Sequence, residues 1–182
     1  MKSILLKLLT VLLTIIVLLS FSSKKTNITD DSQSYFPLNI KEKKIKWFNT
    51  QYIERHIGEK KFNNKTYQIF EQEWSYGQKD LLYLREENGV VYQYQQEEDN
   101  HEFVRFDHRF KKNSTWGPSI KPKLYKIISL NGTLETPYGK FSNLIVIQAK
   151  FDNRKFQFYY QKGKGYIGAS TKKDGVISYL RE

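Results

Sequence analysis

The sequence predicts an all-β protein: a single antiparallel meander of about ten strands curled into a barrel or half-barrel. Three observations predict it. Apolar and polar residues alternate with a period of two through most of the chain, and no stretch sustains the helical period. Turn residues interrupt these runs every five to ten positions. The 13 tyrosines, 12 phenylalanines and three tryptophans are residue types that fit a pleated, half-buried surface.

The N-terminus precedes this pattern. Met1-Lys2-Ser3-Ile4-Leu5-Leu6-Lys7 is basic, Leu8 to Phe21 is apolar, and Ser22-Ser23-Lys24-Lys25 follows. A basic start, a short apolar run and small residues at its end are the parts of a secretory signal peptide. The run is shorter than the ~20 residues that span a bilayer comfortably. Residues 1–23 are therefore expected to be a signal peptide or an N-terminal anchor, 24–34 a flexible tether, and 35–182 an antiparallel β domain. No cysteine follows Ser20, so lipidation of a cysteine there is chemically impossible. Export predicts a periplasmic, cell-envelope or secreted location, with membrane contact through the N-terminal segment. The chain has no cysteine at all, so its stability must rest on a hydrophobic core and not on disulfides.

Tyr35-Phe36-Pro37-Leu38 opens the domain, and Pro37 biases Phe36 toward extended geometry. Strands are expected over Ile45–Ile57, Thr66–Trp74, Leu81–Glu87, Val90–Gln95, Glu102–Phe110, Leu124–Leu130, Thr133–Thr136, Phe141–Phe151, Lys155–Tyr160, Tyr166–Thr171 and Val176–Leu180. Asn88-Gly89 and Asn131-Gly132 suit tight hairpins whose central residues take positive φ. Asn63-Asn64, Asp152-Asn153 and Asp174-Gly175 tolerate the same geometry. The stretch from Gly117-Pro118 to Lys121-Pro122 is the one longer irregular connection, with room for a short helix. Alternation sorts the faces. Phe156, Phe158 and Tyr160 share one; Phe141, Ile145, Ile147 and Phe151 share one; Val104 and Phe106 oppose Arg105 and Asp107.

The motif order resembles a diffuse group of exported bacterial β-rich proteins, often lipoproteins, of unassigned function. The residues carrying it are Tyr35-Phe36-Pro37-Leu38, Trp47, Glu86-Glu87-Asn88-Gly89-Val90-Val91-Tyr92, Trp116, Thr136-Pro137-Tyr138-Gly139-Lys140-Phe141-Ser142-Asn143, Tyr159 through Ile167, and Ser178-Tyr179-Leu180. The resemblance implies a curved antiparallel sheet and supplies no catalytic residues. The missing lipidation cysteine is a departure from it.

The residues themselves argue for binding over catalysis. His56, His101 and His108 lack the spacing of a zinc site, no cysteine ligand exists, and no cofactor or metal is implied. There is no Gly-x-Ser-x-Gly elbow. Glu71 with Glu73, or Glu86 with Glu97, are the carboxylate pairs that a glycan-active enzyme would need. The formal net charge of +11 attracts anions, but the cations are dispersed and an exported protein does not meet cytoplasmic nucleic acid. Gly163-Lys164-Gly165 has the composition of an anion-binding nest or of a plain hairpin turn.

The expectation is a non-catalytic envelope or secreted binding protein that holds an anionic amphiphile or lipid in a concave sheet. Candidate walls are Tyr92, Tyr94, Phe156, Phe158 and Tyr160, with Lys162 and Lys164 at the mouth. The alternative is an interaction module that pairs an envelope protein at a sheet edge, and a glycan-active enzyme comes third. The sequence leaves the oligomeric state open.

Overall fold

The computed structural model describes residues 31–96, 100–117, 124–151 and 154–181. The signal and most of the tether lie outside these, as do Glu97, Asp152-Asn153 and the expected short helix between Gly117 and Pro122.

A short 3₁₀ turn at Asp31–Gln33 leads into twelve strands: β1 Glu42–Trp47, β2 Thr50–Phe62, β3 Lys65–Trp74, β4 Lys79–Glu87, β5 Val90–Gln95, β6 His101–Asp107, β7 Thr115–Trp116, β8 Leu124–Thr136, β9 Gly139–Phe151, β10 Arg154–Gln161, β11 Gly165–Thr171 and β12 Gly175–Arg181. They form one sheet in the order β6-β5-β4-β3-β2-β1-β12-β11-β10-β9-β8-β7. This is an antiparallel meander nearly closed into a barrel. The first and last strands pair, Ile45 opposite Leu180, so the sheet ends in the middle of the sequence, at β6 and β7.

Two local details differ from the sequence expectations. The run Ile45–Ile57 is two strands, because Phe48 takes φ 46° and turns the chain at Phe48-Asn49. Asn131-Gly132 makes no hairpin: β8 passes straight through it, and three register shifts against β9 absorb the irregularity. Asn88-Gly89 and Asn63-Asn64 do turn as expected, all four residues at positive φ.

Bulges bend the long hairpins over the outer face of the sheet. Ile57 is the extra residue in β2. Beyond it the β2–β3 hairpin curls over β4 and β5, and Phe62 stacks on Tyr94 with ring centroids 4.1 Å apart. The β8–β9 hairpin curls likewise, carrying Leu134 and Phe141 into a cluster with Leu144, Val146, Tyr159 and Ile167. This corrects the expected face of Phe141. Asn143 takes φ 56°, so the alternation breaks and Phe141 sits opposite Ile145 and Ile147. Gly168 makes the overlap possible: a Cβ there would lie 2.4 Å from the Ser178 carbonyl oxygen and 2.8 Å from Leu134 Cδ2.

Inside the barrel, Val91, Phe106, Ile127, Ile145, Ile147 and Tyr160 surround Phe36. The N-terminal segment is thus part of the core. Phe36 stacks between Tyr160 (4.5 Å) and Phe106 (5.0 Å). Ser34, fully buried, accepts the Phe36 N–H on its Oγ at 3.0 Å, and its carbonyl accepts from Gly163 N at 2.8 Å. These bonds strap the segment across one end of the barrel.

Candidate functional site

The site is the barrel interior, where β1–β6 and β10–β11 leave a cavity of ≈ 200 Å³. Its apolar wall includes Trp47, Phe70, Leu82, Leu84 and Phe158, and the Tyr35-Phe36-Pro37 strap covers one side. A second space of ≈ 90 Å³ lies between Trp116, Tyr125, Ile147 and Phe151 and shares Phe36, Arg105, Phe158 and Tyr160 with the first.

Polar groups enter this aromatic interior at few points, and each has a backbone cause. Lys43 and Glu54 face each other across the β1–β2 ladder, and their charged atoms lie 3.7 Å apart. Burial pushes the Lys43 ammonium below its ordinary pKa, and Glu54 offsets part of that. Gln72 and Gln93 reach the same cavity from β3 and β5. Burial also raises the phenols of Tyr52, Tyr160 and Tyr166, so all three stay neutral donors at physiological pH. Tyr166 donates to Ser178 Oγ at 2.8 Å.

Arg105 is the group that strict alternation puts on the wrong side. It was expected to oppose Phe106. Val91 pairs with Phe106 and Tyr92 with Val104, which leaves Arg105 as the extra residue of a bulge in β6. A bulge re-aims its side chain, and both Arg105 and Phe106 point inward: Phe106 into the core, Arg105 into both spaces. Burial works against its charge, but Tyr160, Tyr125 and Glu54 outweigh that and hold its pKa up. Among the described residues the carboxylates of the ion pairs go to other cations: Glu54 to Lys43, Glu102 to Arg85, Asp107 to Arg109. Arg105 therefore brings a second positive charge, with phenol groups as its neighbours, to a largely aromatic cavity in which Lys43 is already paired with Glu54.

The residues singled out in the sequence fall in three places. Phe158 and Tyr160 line both spaces. Phe156 shares their face, packed on Phe151 (5.6 Å) and Phe158 (6.2 Å), and lines neither. Tyr92 and Tyr94 lie on the outer face. Tyr94 packs with Tyr67 and Tyr83, and the Arg85 guanidinium covers the Tyr92 ring at 4.1 Å. Lys162 and Lys164 are exposed on the β10–β11 turn, over the rings of Tyr35 and Phe141 respectively, away from the two interior spaces. That turn is a hairpin and not a nest, because the Gly163 and Lys164 N–H groups are already bonded to Ser34 and Gln161 carbonyls. Arg105, Lys43, Glu54, Gln72 and Gln93 were missed. The bulge in β6 leaves no signature in composition, but a Lys43–Glu54 pairing follows from register once the Phe48 turn is known.

Of the two carboxylate pairs, Glu71 with Glu73 does not converge on a cleft, and Glu97 of the other lies outside the described residues. Glu71 bonds Lys79 at 3.0 Å and Glu73 bonds Arg55 at 2.7 Å, in a charge ladder on the outer face. His108 Nε2 lies 3.5 Å from Ser34 Oγ and 3.8 Å from Glu86 Oε1. One ring nitrogen serves both contacts and the serine is fully buried, so this trio lacks the relay geometry of a nucleophile. Among the described residues no three His, Asp or Glu side chains gather as a metal site. No known protein family matches the chain, and neither does any curated protein or solved structure.

Proposed function

We propose that this is an exported, non-catalytic binding protein whose barrel interior takes a small anionic amphiphile. The observation that carries the reading is Arg105, a cation that no described carboxylate pairs with directly, aimed by a bulge into a largely aromatic cavity. Tyr160, Tyr125 and Glu54 hold its charge, and a ligand carboxylate or phosphate would add a direct charge-assisted bond to it. The apolar body would lie against Phe70, Leu82, Leu84 and Phe158, with Gln72 and Gln93 orienting polar atoms. The ≈ 200 Å³ of space is below the ~300–1,000 Å³ of pockets for drug-sized molecules. It supports a short amphiphile over a long-chain lipid. Two observations weigh against the sheet-edge alternative. One end strand, β7, has two residues, and its Trp116 is already bonded to β6. Export rests on the Met1–Ser23 pattern.

The test is calorimetric titration with straight-chain alkanoates from butanoate to dodecanoate. Affinity is expected to rise by at most ~0.8 kcal/mol per added CH₂, then to level off once the cavity is full. Arg105→Met is expected to weaken octanoate at least ~10-fold, because a hydrogen bond to a charged group contributes ~1.5–3 kcal/mol. Affinity that ignores chain length, or that survives Arg105→Met unchanged, would remove the reading.

A further inference from the structure

We infer that ligand reaches the interior sideways, through the seam between β6 and β7, and that Trp116 gates it. The inference rests on the binding reading above and adds a route and a residue to it.

The sheet has one break in its ladder. The β1–β12 pairing closes the barrel at the chain ends, while β6 and β7 are the two end strands of the sheet. Side chains bridge them instead. The Trp116 indole N–H donates to the Arg105 carbonyl at 3.2 Å. Phe110 packs on the same indole at 4.7 Å, and Phe106 touches it edge-on at 6.4 Å. Directly behind this contact lies the smaller interior space, lined by Trp116 itself and by Arg105. It shares Phe36, Arg105, Phe158 and Tyr160 with the main cavity, so a molecule that passes the indole meets the interior cation first.

The strapped end and the other strand seams cost more. The end beside the N-terminal segment is held by the buried Ser34 and by Phe36 in its aromatic stack. Parting any two other neighbouring strands breaks a ladder of backbone bonds. At the seam, among the described residues, the Trp116–Arg105 hydrogen bond must break and the indole must leave Phe110 and Phe106. β7 and the residues before it are paired on one side only, to β8 through Thr115–Trp116 and the Asn113 and Ser114 bonds to Ile127, so the side toward β6 is free of a backbone ladder.

Trp116→Phe tests this, because it removes the N–H donor and keeps a ring in place. By stopped-flow with octanoate, association and dissociation rates are both expected to rise at least threefold while Kd stays within twofold. Ser34→Ala, which removes the bond that holds the Phe36 N–H at the strapped end and lines neither interior space, is expected to leave both rates unchanged. Without ligand, Trp116→Phe is expected to speed amide hydrogen exchange in 103–106 at least tenfold and to leave β1 and β12 unaffected. Failure of octanoate to bind the wild-type chain would overturn the binding reading, and the exchange result would then decide the seam alone. Unchanged exchange in 103–106, or rates that respond to Ser34→Ala and not to Trp116→Phe, would overturn the gate.

Discussion

Replacing Glu102 with Gln is expected to remove a pH-dependent part of the stability of this protein. Glu102 lies on the outer face, where the curled β2–β3 hairpin meets β6. It accepts from Arg85 Nε at 2.5 Å, Tyr67 Oη at 2.6 Å and Lys65 Nζ at 2.7 Å. Burial pushes its carboxyl up, but the bonds from Arg85, Lys65 and Tyr67 outweigh burial and hold it at about 2, against an ordinary 4.5. A depressed folded-state pKa contributes stability that is present above the unfolded value and lost as pH falls toward the folded one. At ~1.36 kcal/mol per pKa unit, the window between 4.5 and about 2 corresponds to about 3 kcal/mol at most. Glu102→Gln leaves Arg85 with Glu87, 2.8 Å away, so the buried guanidinium keeps one partner. The expected loss at pH 7 is about 2–3 kcal/mol, at the low end of what breaking a buried pair costs. With a urea m-value of ~2 kcal/mol/M, the midpoint should fall by about 1–1.5 M. The gap between wild type and variant should narrow below pH 4.5 and nearly close at pH 2. A gap that stays constant from pH 7 to pH 2 would refute the reasoning. Tyr67 supplies the alkaline counterpart: burial, with help from Glu102, pushes its phenol up to about 12. That contribution is present below pH 10 and is lost as pH rises through about 12.

Two further substitutions test the packing. Phe158→Ala should cost about 2–4 kcal/mol, toward or below the low end for a buried ring, because one side of the ring already faces the cavity. Gln157→Ala, one residue away on the outer face, should stay within ~0.5 kcal/mol in the same urea titration; equal effects would mean that the β10 register is misread. Gly168→Ala should cost ~1–3 kcal/mol or more, since the new methyl group meets the Ser178 carbonyl oxygen at 2.4 Å and a backbone atom cannot give way cheaply. Unchanged thermal stability would show that Leu134 does not pack on β11.

The strands and their hairpins were legible because period-two alternation and Asn-Gly punctuation are local signals. The barrel followed from their number. What escaped was non-local or one residue wide. A single extra residue at Arg105 reverses which side chain faces in, and neither composition nor alternation announces it. Asn143 and the irregular β8 did the same to Phe141. Tyr92 and Tyr94 read as cavity wall because they are large and apolar. Instead the curled hairpin covers Tyr94 and the Arg85 guanidinium covers Tyr92 on the outer face, and a sequence does not show that a sheet is covered on both faces. The Tyr35-Phe36-Pro37-Leu38 motif was noticed as the start of the domain. Its role as an interior strap depends on contacts about seventy and more than one hundred residues away, with Phe106 and Tyr160.

Two arginines contrast in how the fold accommodates their charge. Arg85 is buried on the outer face, and Glu102, Glu87 and the ring of Tyr92 account for its charge, its planar donors and its flat surface. Such a group is satisfied by the fold, and its removal would leave Glu102 with Lys65 as its remaining cation and take from Glu87 its ion-pair partner. Arg105 is half-buried, its neighbours are mainly phenolic, and Glu54, the carboxylate that helps hold its charge, is paired with Lys43. A protein that needed only to fold would gain from an apolar residue there, because replacing a buried charge by a well-packed hydrophobe is often neutral or stabilising. The chain instead keeps a bulge that turns this guanidinium inward and a cavity in front of it. Loss of stability in Arg85→Met, with equal or greater stability and lost octanoate binding in Arg105→Met, would separate the two roles by the sign of one measurement.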